Sequence, residues 1–366
     1  MNENIVAAAR ARFSSTYAEA RQKFRDHAQD VRAYPSTARG PEGEELSTDV
    51  AWFGAFEAPK VGIMLSATHG VEGYGGSACQ LDWILERGFG RLRADEAMLL
   101  IHAINPYGFA WDRRVTEEGC DLNRNFIDFN APIPHNVRYD ELAGALVPRA
   151  LEGPAFAAAE ATIKAFREKY GETAFQEARK SGQYRHPEGM FFGGVAPSAA
   201  RLTLERIAAD FGIARRRFVI VVDYHTGLSP YGYGELECEQ PSGMAGYHRA
   251  REVFGESVTS PDLGTSSSVK LNGTHDEYWQ RMLGDRHVYV CLEFGTYEPE
   301  RGRRVLRDDH WLHAYGKLDS RSDAAMRISR AVRDHYYPEA LDWKEMVLCR
   351  SRQVQRQILE GLSRFG

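Results

Sequence analysis

The chain is 366 residues long, 43% hydrophobic and 27% charged, the proportions of a soluble globular protein rather than a disordered, collagenous or membrane chain. Its 46 basic and 51 acidic side chains leave a formal charge of −5, which excludes the basic field a nucleic-acid partner needs. Apolar runs such as Phe218–Val222 fall far short of the roughly 20 residues of a membrane span.

In chain order, Ile5, Ala9, Phe13, Tyr17 and Phe24 recur at helical spacing, so residues 4–28 read as one amphipathic helix rather than a signal peptide. Pro35, Gly40, Pro41 and Gly43 make 30–44 an exposed connector. Continuous β-branched runs follow at 61–66, 98–104, 218–222 and 288–293, as in strands buried on both faces. Helical patterns lie between and after them at 76–87, 152–169, 198–210, 243–256, 276–283 and 322–335, and the tail, 341–364, is another amphipathic helix. The stretch 105–135 is rich in Asn, Asp and Arg and has little periodicity, the mark of a functional loop. This alternation predicts an α/β fold, a mixed, mostly parallel twisted sheet with helices on both faces. Residues 45–320 are expected to form a single catalytic domain. The helix and connector of 1–44 and the helices of 321–366 should pack on it as parts of the same globule. Five scattered cysteines (Cys79, Cys120, Cys238, Cys291, Cys349) have neither metal-knuckle nor redox spacing, which favours a reduced, cytoplasmic protein.

Four places could carry chemistry. His69-Gly70-Val71-Glu72 follows the first buried strand, and imidazole and carboxylate are natural zinc ligands. Asp223-Tyr224-His225-Thr226-Gly227 follows FVIVV, where α/β sheets open their ligand crevice. Glu293 ends the apolar run VYVCLE, a costly place for a carboxylate unless it is paired or functional. Arg113-Arg114 precede Asp121-Leu122-Asn123-Arg124-Asn125-Phe126, and arginine grips carboxylates through a planar fork. Each has an ordinary structural reading too: a polar loop, a satisfied core histidine, a salt-bridged strand end, a solvated loop.

The order of these segments resembles the zinc metallocarboxypeptidase (carboxypeptidase A-like) superfamily, which includes the aspartoacylase and succinylglutamate desuccinylase branch. Asn105-Pro106-Tyr107-Gly108 matches its Asn-Pro-x-Gly segment, while HTGLSPYGYGE (225–235) and EFGTY (293–297) look most like an uncharacterised bacterial branch. The resemblance covers roughly residues 60–300 and implies a zinc carboxypeptidase-like fold. It implies one zinc ion on His69, Glu72 and His225, with Asp121 holding the other ring nitrogen of His69. Asn123 and Arg124 would bind a substrate carboxylate, Arg114 would polarise the scissile carbonyl with Arg113 as the adjacent candidate, and Glu293 would be the general base. The family's tyrosine over the substrate matches none of Tyr231, Tyr233 or Tyr297 by motif. HPEGMFFGG (186–194) fits a loop approaching the cleft, and equally an ordinary glycine turn.

The implied function is hydrolysis of an amide beside a free carboxylate in a small peptide, as a carboxypeptidase. An N-acyl amino acid deacylase of the aspartoacylase type is the alternative, and a non-catalytic metal- or peptide-binding module is the alternative of another class. A dinucleotide fingerprint is also visible in Gly73-Tyr74-Gly75-Gly76-Ser77-Ala78, but it does not follow its strand at once, as that motif requires. Neither a membrane nor a nucleic-acid partner is expected, and the oligomeric state is not legible.

Overall fold

The computed structural model describes residues 3–365. Its centre is one eight-stranded sheet: β1 (Arg32–Arg39), β2 (Glu45–Gly54), β3 (Lys60–Leu65), β4 (Glu96–His102), β5 (Phe218–Thr226), β6 (Gly234–Glu237), β7 (Val258–Thr259) and β8 (His287–Phe294). The strands run in the order β1-β2-β4-β3-β5-β8-β6-β7. β4, β3, β5 and β8 are mutually parallel, whereas β1 with β2, β2 with β4, and β6 with β8 are antiparallel. The sheet is thus mixed and mostly parallel in its middle, as the continuous apolar runs predict.

Side chains alternate across a strand, and the two faces are buried under different helices. Val61, Ile63, Leu65, Leu99, Val219 and Val221 point to one face and pack with Leu204 and Ile207 of helix 199–210 and Trp279 of helix 275–283. Met64, Met98, Leu100, Ile220 and Val222 point to the other, against Ala78, Val253, Val347 and Ile358 from helices 73–85, 245–254 and 341–364. Each such fully buried aliphatic side chain contributes about 1.5–3 kcal/mol. The chain leaves β3 for β4 on one side and then crosses to β5 on the other, so the strand order reverses between β3 and β5. That reversal opens a crevice beyond their carboxyl ends.

Several elements differ from the sequence reading. The N-terminal helix is two, Glu3–Arg12 and Tyr17–His27. The break comes because Thr16 Oγ1 accepts from Glu19 N–H and the Glu19 carboxylate accepts from Ser15 N–H, a capping arrangement that starts a new helix. Within 30–44, residues 32–39 are not a connector but edge strand β1, paired with β2 from Arg32 opposite Val50 to Arg39 opposite Glu45. Pro35 is tolerated because an edge strand needs no donor on its outer side. The helix expected at 152–169 runs to Lys180 with a break at Gly171, φ +84°. Helices Val137–Leu146 and Pro299–Trp311 were not expected. The Gly73–Gly76 run serves helix packing: a Cβ on Gly76 would stand 2.8 Å from Ser66 Cβ and 3.0 Å from Tyr224 Cβ. Among the described residues no helix is long and apolar enough to cross a membrane.

Candidate functional site

The face that carries Val219 and Val221 continues along β5 to Asp223 and His225, and the same alternation on β8 leads from Tyr289 and Cys291 to Glu293. The apolar core therefore turns polar at the carboxyl ends of the strands. His69 lies just past β3 and Glu72 closes the short helical turn Gly70–Glu72 that follows it. This turn can sit tightly because a Cβ on Gly70 would fall 2.0 Å from the backbone of Gly108, in the Asn-Pro-Tyr-Gly turn that Asn105 caps by accepting from Gly108 N–H at 2.9 Å.

His69, Glu72 and His225 converge, all buried. His69 Nδ1 is 3.0 Å from Glu72 Oε1, His225 Nδ1 is 3.0 Å from Glu72 Oε2, and the two Nδ1 atoms are 3.1 Å apart. Two imidazole nitrogens and both oxygens of a carboxylate facing one point form a donor set suited to a cation such as zinc. Behind each ring stands a second carboxylate. Asp121 Oδ1 is 3.2 Å from His69 Nε2, and Asp223 Oδ2 is 3.1 Å from His225 Nε2. Such backing carboxylates fix a ring's tautomer and leave the other nitrogen for a metal. The residues therefore fit the group that the motifs imply. The role of Asp223 was not read from the sequence, although its signal is plain afterwards: Asp-x-His on a strand puts both side chains on one face. Asp223 also accepts from Thr68 Oγ1 at 2.8 Å and Tyr289 Oη at 3.1 Å.

Burial alone would raise the Glu72 carboxyl, but the charges and hydrogen bonds of His69 and His225 outweigh it and hold it well below the usual range. Asp121 is likewise desolvated yet pulled down by Arg114, His69 and Arg124. Glu293 goes the other way: burial and the neighbouring Glu72 charge push it up to about 8, against the pull of His225 and of Leu228 N–H, which donates to Glu293 Oε1 at 3.0 Å.

The arginines separate. Arg114 lies on the site, donating from Nε to Asp121 at 3.0 Å and from Nη1 to Glu72 at 3.1 Å, with Nη2 2.8 Å from His69 Nε2. Arg113 points elsewhere: its Nε sits 3.1 Å from both oxygens of buried Asp309, and it does not line the cleft. Asn123 and Arg124 line the cleft with His69, Glu72, His225 and Glu293. Asn123 Oδ1 accepts from His275 N–H at 2.8 Å. Arg124 donates from Nε to the Lys180 carbonyl at 2.9 Å and from Nη1 to its neighbour's carbonyl at 2.6 Å, which leaves Nη2 for a ligand.

The cleft holds a cavity of about 80 Å³. The 186–194 segment does approach it: Phe191, in the left-handed region at φ +56°, lines the wall with the guanidinium carbons of Arg114 and Arg124 5.3 and 5.7 Å from its ring centre, within cation–π range. Tyr231, Tyr233 and Tyr297 do not line the cleft. Tyr336 does. It lies at the end of helix 323–336, outside the region of resemblance, and is held by Thr226 Oγ1 donating to its carbonyl at 2.7 Å. Gly227, φ +127°, gives the ring its place, since a Cβ there would come 2.7 Å from Tyr336 Cε1. Arg179, Lys180, Glu237 and Glu239 also line the cleft, and none was singled out from the sequence.

Among solved structures, the chain is similar to carboxypeptidase A from Helicoverpa armigera at 12% identity and a TM-score of 0.44, covering 90% of this chain and 79% of that one. It is similar to an aspartoacylase family protein from Mesorhizobium loti at 16% identity and 0.35, covering 79% and 68%. A murein-tripeptide amidase from Escherichia coli O157 aligns at 14% identity and 0.36, covering 83% and 92%. No curated protein matches the sequence. The family profile described as protein of unknown function DUF2817 matches residues 13–350, and the chain belongs to that family.

Proposed function

We propose that the chain is a zinc-dependent hydrolase that cleaves an amide bond next to a free carboxylate, acting as a carboxypeptidase-type metallopeptidase on small peptides. The observation that carries this reading is the convergence of His69 Nδ1, His225 Nδ1 and the Glu72 carboxylate at one point, with Glu293 on the adjacent strand of the same cleft. His69, Glu72 and His225 would hold one zinc ion per chain, which when bound supplies a Lewis acid for the amide carbonyl and acidifies a water. Glu293 takes the proton of the attacking water and passes it to the departing nitrogen, work for which a carboxyl raised by burial is matched. Arg114 braces Glu72 and Asp121 and brings its positive charge to the place where the carbonyl oxygen gains negative charge. Asn123 and the open Nη2 of Arg124 bind the substrate's carboxylate. Arg113 is left out of this set because Asp309 occupies its guanidinium.

A small cleft walled by Phe191 and Tyr336 also suits an N-acyl amino acid, so deacylation of the aspartoacylase type is the second reading. A binding module without catalysis has no use for a buried, raised Glu293. Five free cysteines support a reducing, cytoplasmic setting. In this reading residues 45–320 supply the metal ligands, the base and the arginines, Tyr336 adds to the cleft wall from beyond them, and the helices of 1–44 and 321–366 complete the same globule. One activity panel tests the assignment: N-blocked dipeptides with varied C-terminal residues against N-acyl amino acids, with zinc present. Turnover of the dipeptides that chelation abolishes is the expected result. Turnover of the N-acyl amino acids alone selects the second reading, and no turnover of either overturns the hydrolase assignment.

A further inference from the structure

β6 presents three acids to the cleft side of the sheet. Glu235, Glu237 and, just past the strand, Glu239 alternate with buried Leu236 and Cys238, which face the opposite core. The antiparallel register sets Glu235 opposite Glu293 and Glu237 opposite Cys291. Cys291 in turn pairs with Asp223, and Glu293 with His225. Glu237 therefore lies two residues deeper than Glu293, about 7 Å along the strand, beside the base and toward the sheet.

The three acids are treated differently by their surroundings. Glu235 is fully satisfied: it accepts from Thr259 Oγ1 at 2.5 Å, Ser267 Oγ at 2.6 Å and Ser267 N–H at 3.1 Å, and also from the Ser229 hydroxyl. That is how a carboxylate buried for structural reasons is accommodated. Glu237 is 3% exposed, yet its Oε1 has no hydrogen-bond partner. Glu239 Oε2 has none either. Both line the cleft, with Ser268 and Leu271 beside them. Burial and mutual repulsion with the neighbouring acids push Glu237 well above the usual carboxyl range, and burial with the charge of Asp276 pushes Glu239 up to about 7. Glu237 is buried and Glu239 half-buried, each with an oxygen that has no partner. Lys180 lines the same cleft and feels the Glu237 charge, yet among the described residues neither carboxylate is paired with a cation, so both are short of one.

We propose that Glu237 and Glu239 form a recognition pocket for a cationic group on the substrate, so that the amino acid released has a basic side chain of lysine length together with its free carboxylate. The inference rests on the hydrolase reading for the word substrate, but the pocket itself is defined by the two acids. With its carboxylate on Arg124, a bound lysine would reach along the same cleft with four methylenes, and its three ammonium donors suit two carboxylates. A neutral or acidic side chain of the same length would leave Glu237 and Glu239 buried without partners, so the pocket selects against it as well as for lysine.

The test has two arms. In the first, the zinc-loaded protein is given N-blocked dipeptides ending in lysine, arginine, norleucine or glutamate. Lysine should exceed norleucine, its isostere without the amine, by roughly 10- to 100-fold in kcat/KM, the worth of a charge-assisted hydrogen bond. That ratio should collapse toward one in Glu237→Gln and in Glu239→Gln. In the second arm, ligand-detected NMR titration of the same protein compares binding of free L-lysine with L-norleucine. Lysine should bind at least tenfold more tightly, and the Gln variants should lose the difference. Circular dichroism of each variant confirms that it is folded. If the dipeptides are cleaved but lysine and norleucine are equal, the pocket assignment fails and the hydrolase reading stands. If no dipeptide is cleaved, the carboxypeptidase reading fails, and the lysine-to-norleucine affinity ratio alone decides the pocket. A ratio that survives in both Gln variants overturns the proposal.

Discussion

His225 and Glu293 are direct register partners on the adjacent parallel strands β5 and β8. Strands in a sheet lie about 4.8 Å apart, so the distance between the proposed ligand and the proposed base is set by backbone hydrogen bonds rather than by a loop. The rows beside them carry Val222 with Val290 and Tyr224 with Leu292, all buried. A slip of one residue would turn every one of these side chains to the wrong face. The geometry of the site is therefore protected by the same packing that stabilises the core.

That relationship makes Glu293→Gln a clean probe. The amide is isosteric, can still accept from Leu228 N–H, and removes a carboxyl whose burial is unfavourable for the charged form. The variant should fold at least as stably as the parent and bind zinc stoichiometrically. Its turnover should fall by roughly 10²–10⁴, the usual worth of general-base catalysis. Steady-state kinetics beside elemental analysis checks this, and a near-parental rate with full zinc would remove Glu293 from the mechanism.

Asp223 offers a second probe, independent of substrate. It sits 3.1 Å from the far nitrogen of His225 and is itself held by Thr68 and Tyr289. Asp223→Asn should weaken zinc affinity by roughly 10–100-fold, as loss of a carboxylate behind a ligating histidine does. His225→Ala should lose zinc altogether, from an expected one ion per chain. Competition with a chromophoric chelator reads both. Unchanged affinity in Asp223→Asn would mean that the His225 ring is oriented by something else.

What could be read from the sequence and what could not divides along burial. β3, β4, β5 and β8 are buried along their whole length, so their apolar runs are unbroken and visible. β1 and β2 are polar enough to hide: Arg32–Arg39 carries a proline and alternates with solvent, and Leu46-Ser47-Thr48-Asp49 breaks the apolar run of β2 although those residues are buried. The site residues with motif spacing, His69, Glu72, Asn123, Arg124, His225 and Glu293, do meet in one cleft. Arg113 and Arg114 are adjacent in sequence, and only the fold sends one to Asp309 and the other to Glu72. Tyr336 arrives from helix 323–336, far along the chain, with nothing in its local sequence to announce it. Glu237 and Glu239 carry no motif: acids alternating with apolar Leu236 and Cys238 have the pattern of any half-exposed strand, whereas here the acids line the cleft.

The parting of the two arginines can be measured. Arg113→Ala strands the buried carboxylate of Asp309, which should cost about 3–5 kcal/mol of stability. Its folded fraction should retain substrate affinity. Arg124→Ala should lower the denaturation midpoint too, because its guanidinium is buried and donates to the Lys180 and Asn123 carbonyls, but what sets it apart is binding. It should weaken free-carboxylate substrates by one to two decades, the loss of about 1.5–3 kcal/mol, while C-terminally amidated ones change little. Urea unfolding and kinetics on the paired substrates separate the two. Equal losses on free and amidated substrates would show that Arg124 does not read the carboxylate.

The last prediction concerns acid. His102 is fully buried, stacked on Phe24 at 4.7 Å with its Nε2 2.9 Å from Ser77 Oγ. Burial depresses it to about 4. An unfolded histidine takes up its proton near 6.5, so between pH 6.5 and 4 the unfolded chain binds more protons at this position than the folded one. Stability from His102 is complete above that window and is lost as pH falls through it. The wild-type profile alone will not isolate this, because raised carboxyls such as Glu293, at about 8, act in the opposite direction over part of the same range. The difference between the wild type and His102→Gln, which keeps a partner for Ser77, cancels those groups. Urea unfolding at intervals from pH 7.5 to 4 should show the wild type losing stability relative to the variant only below pH 6.5. A difference that stays constant with pH would mean that His102 takes up its proton in the folded protein just as it does in the unfolded chain.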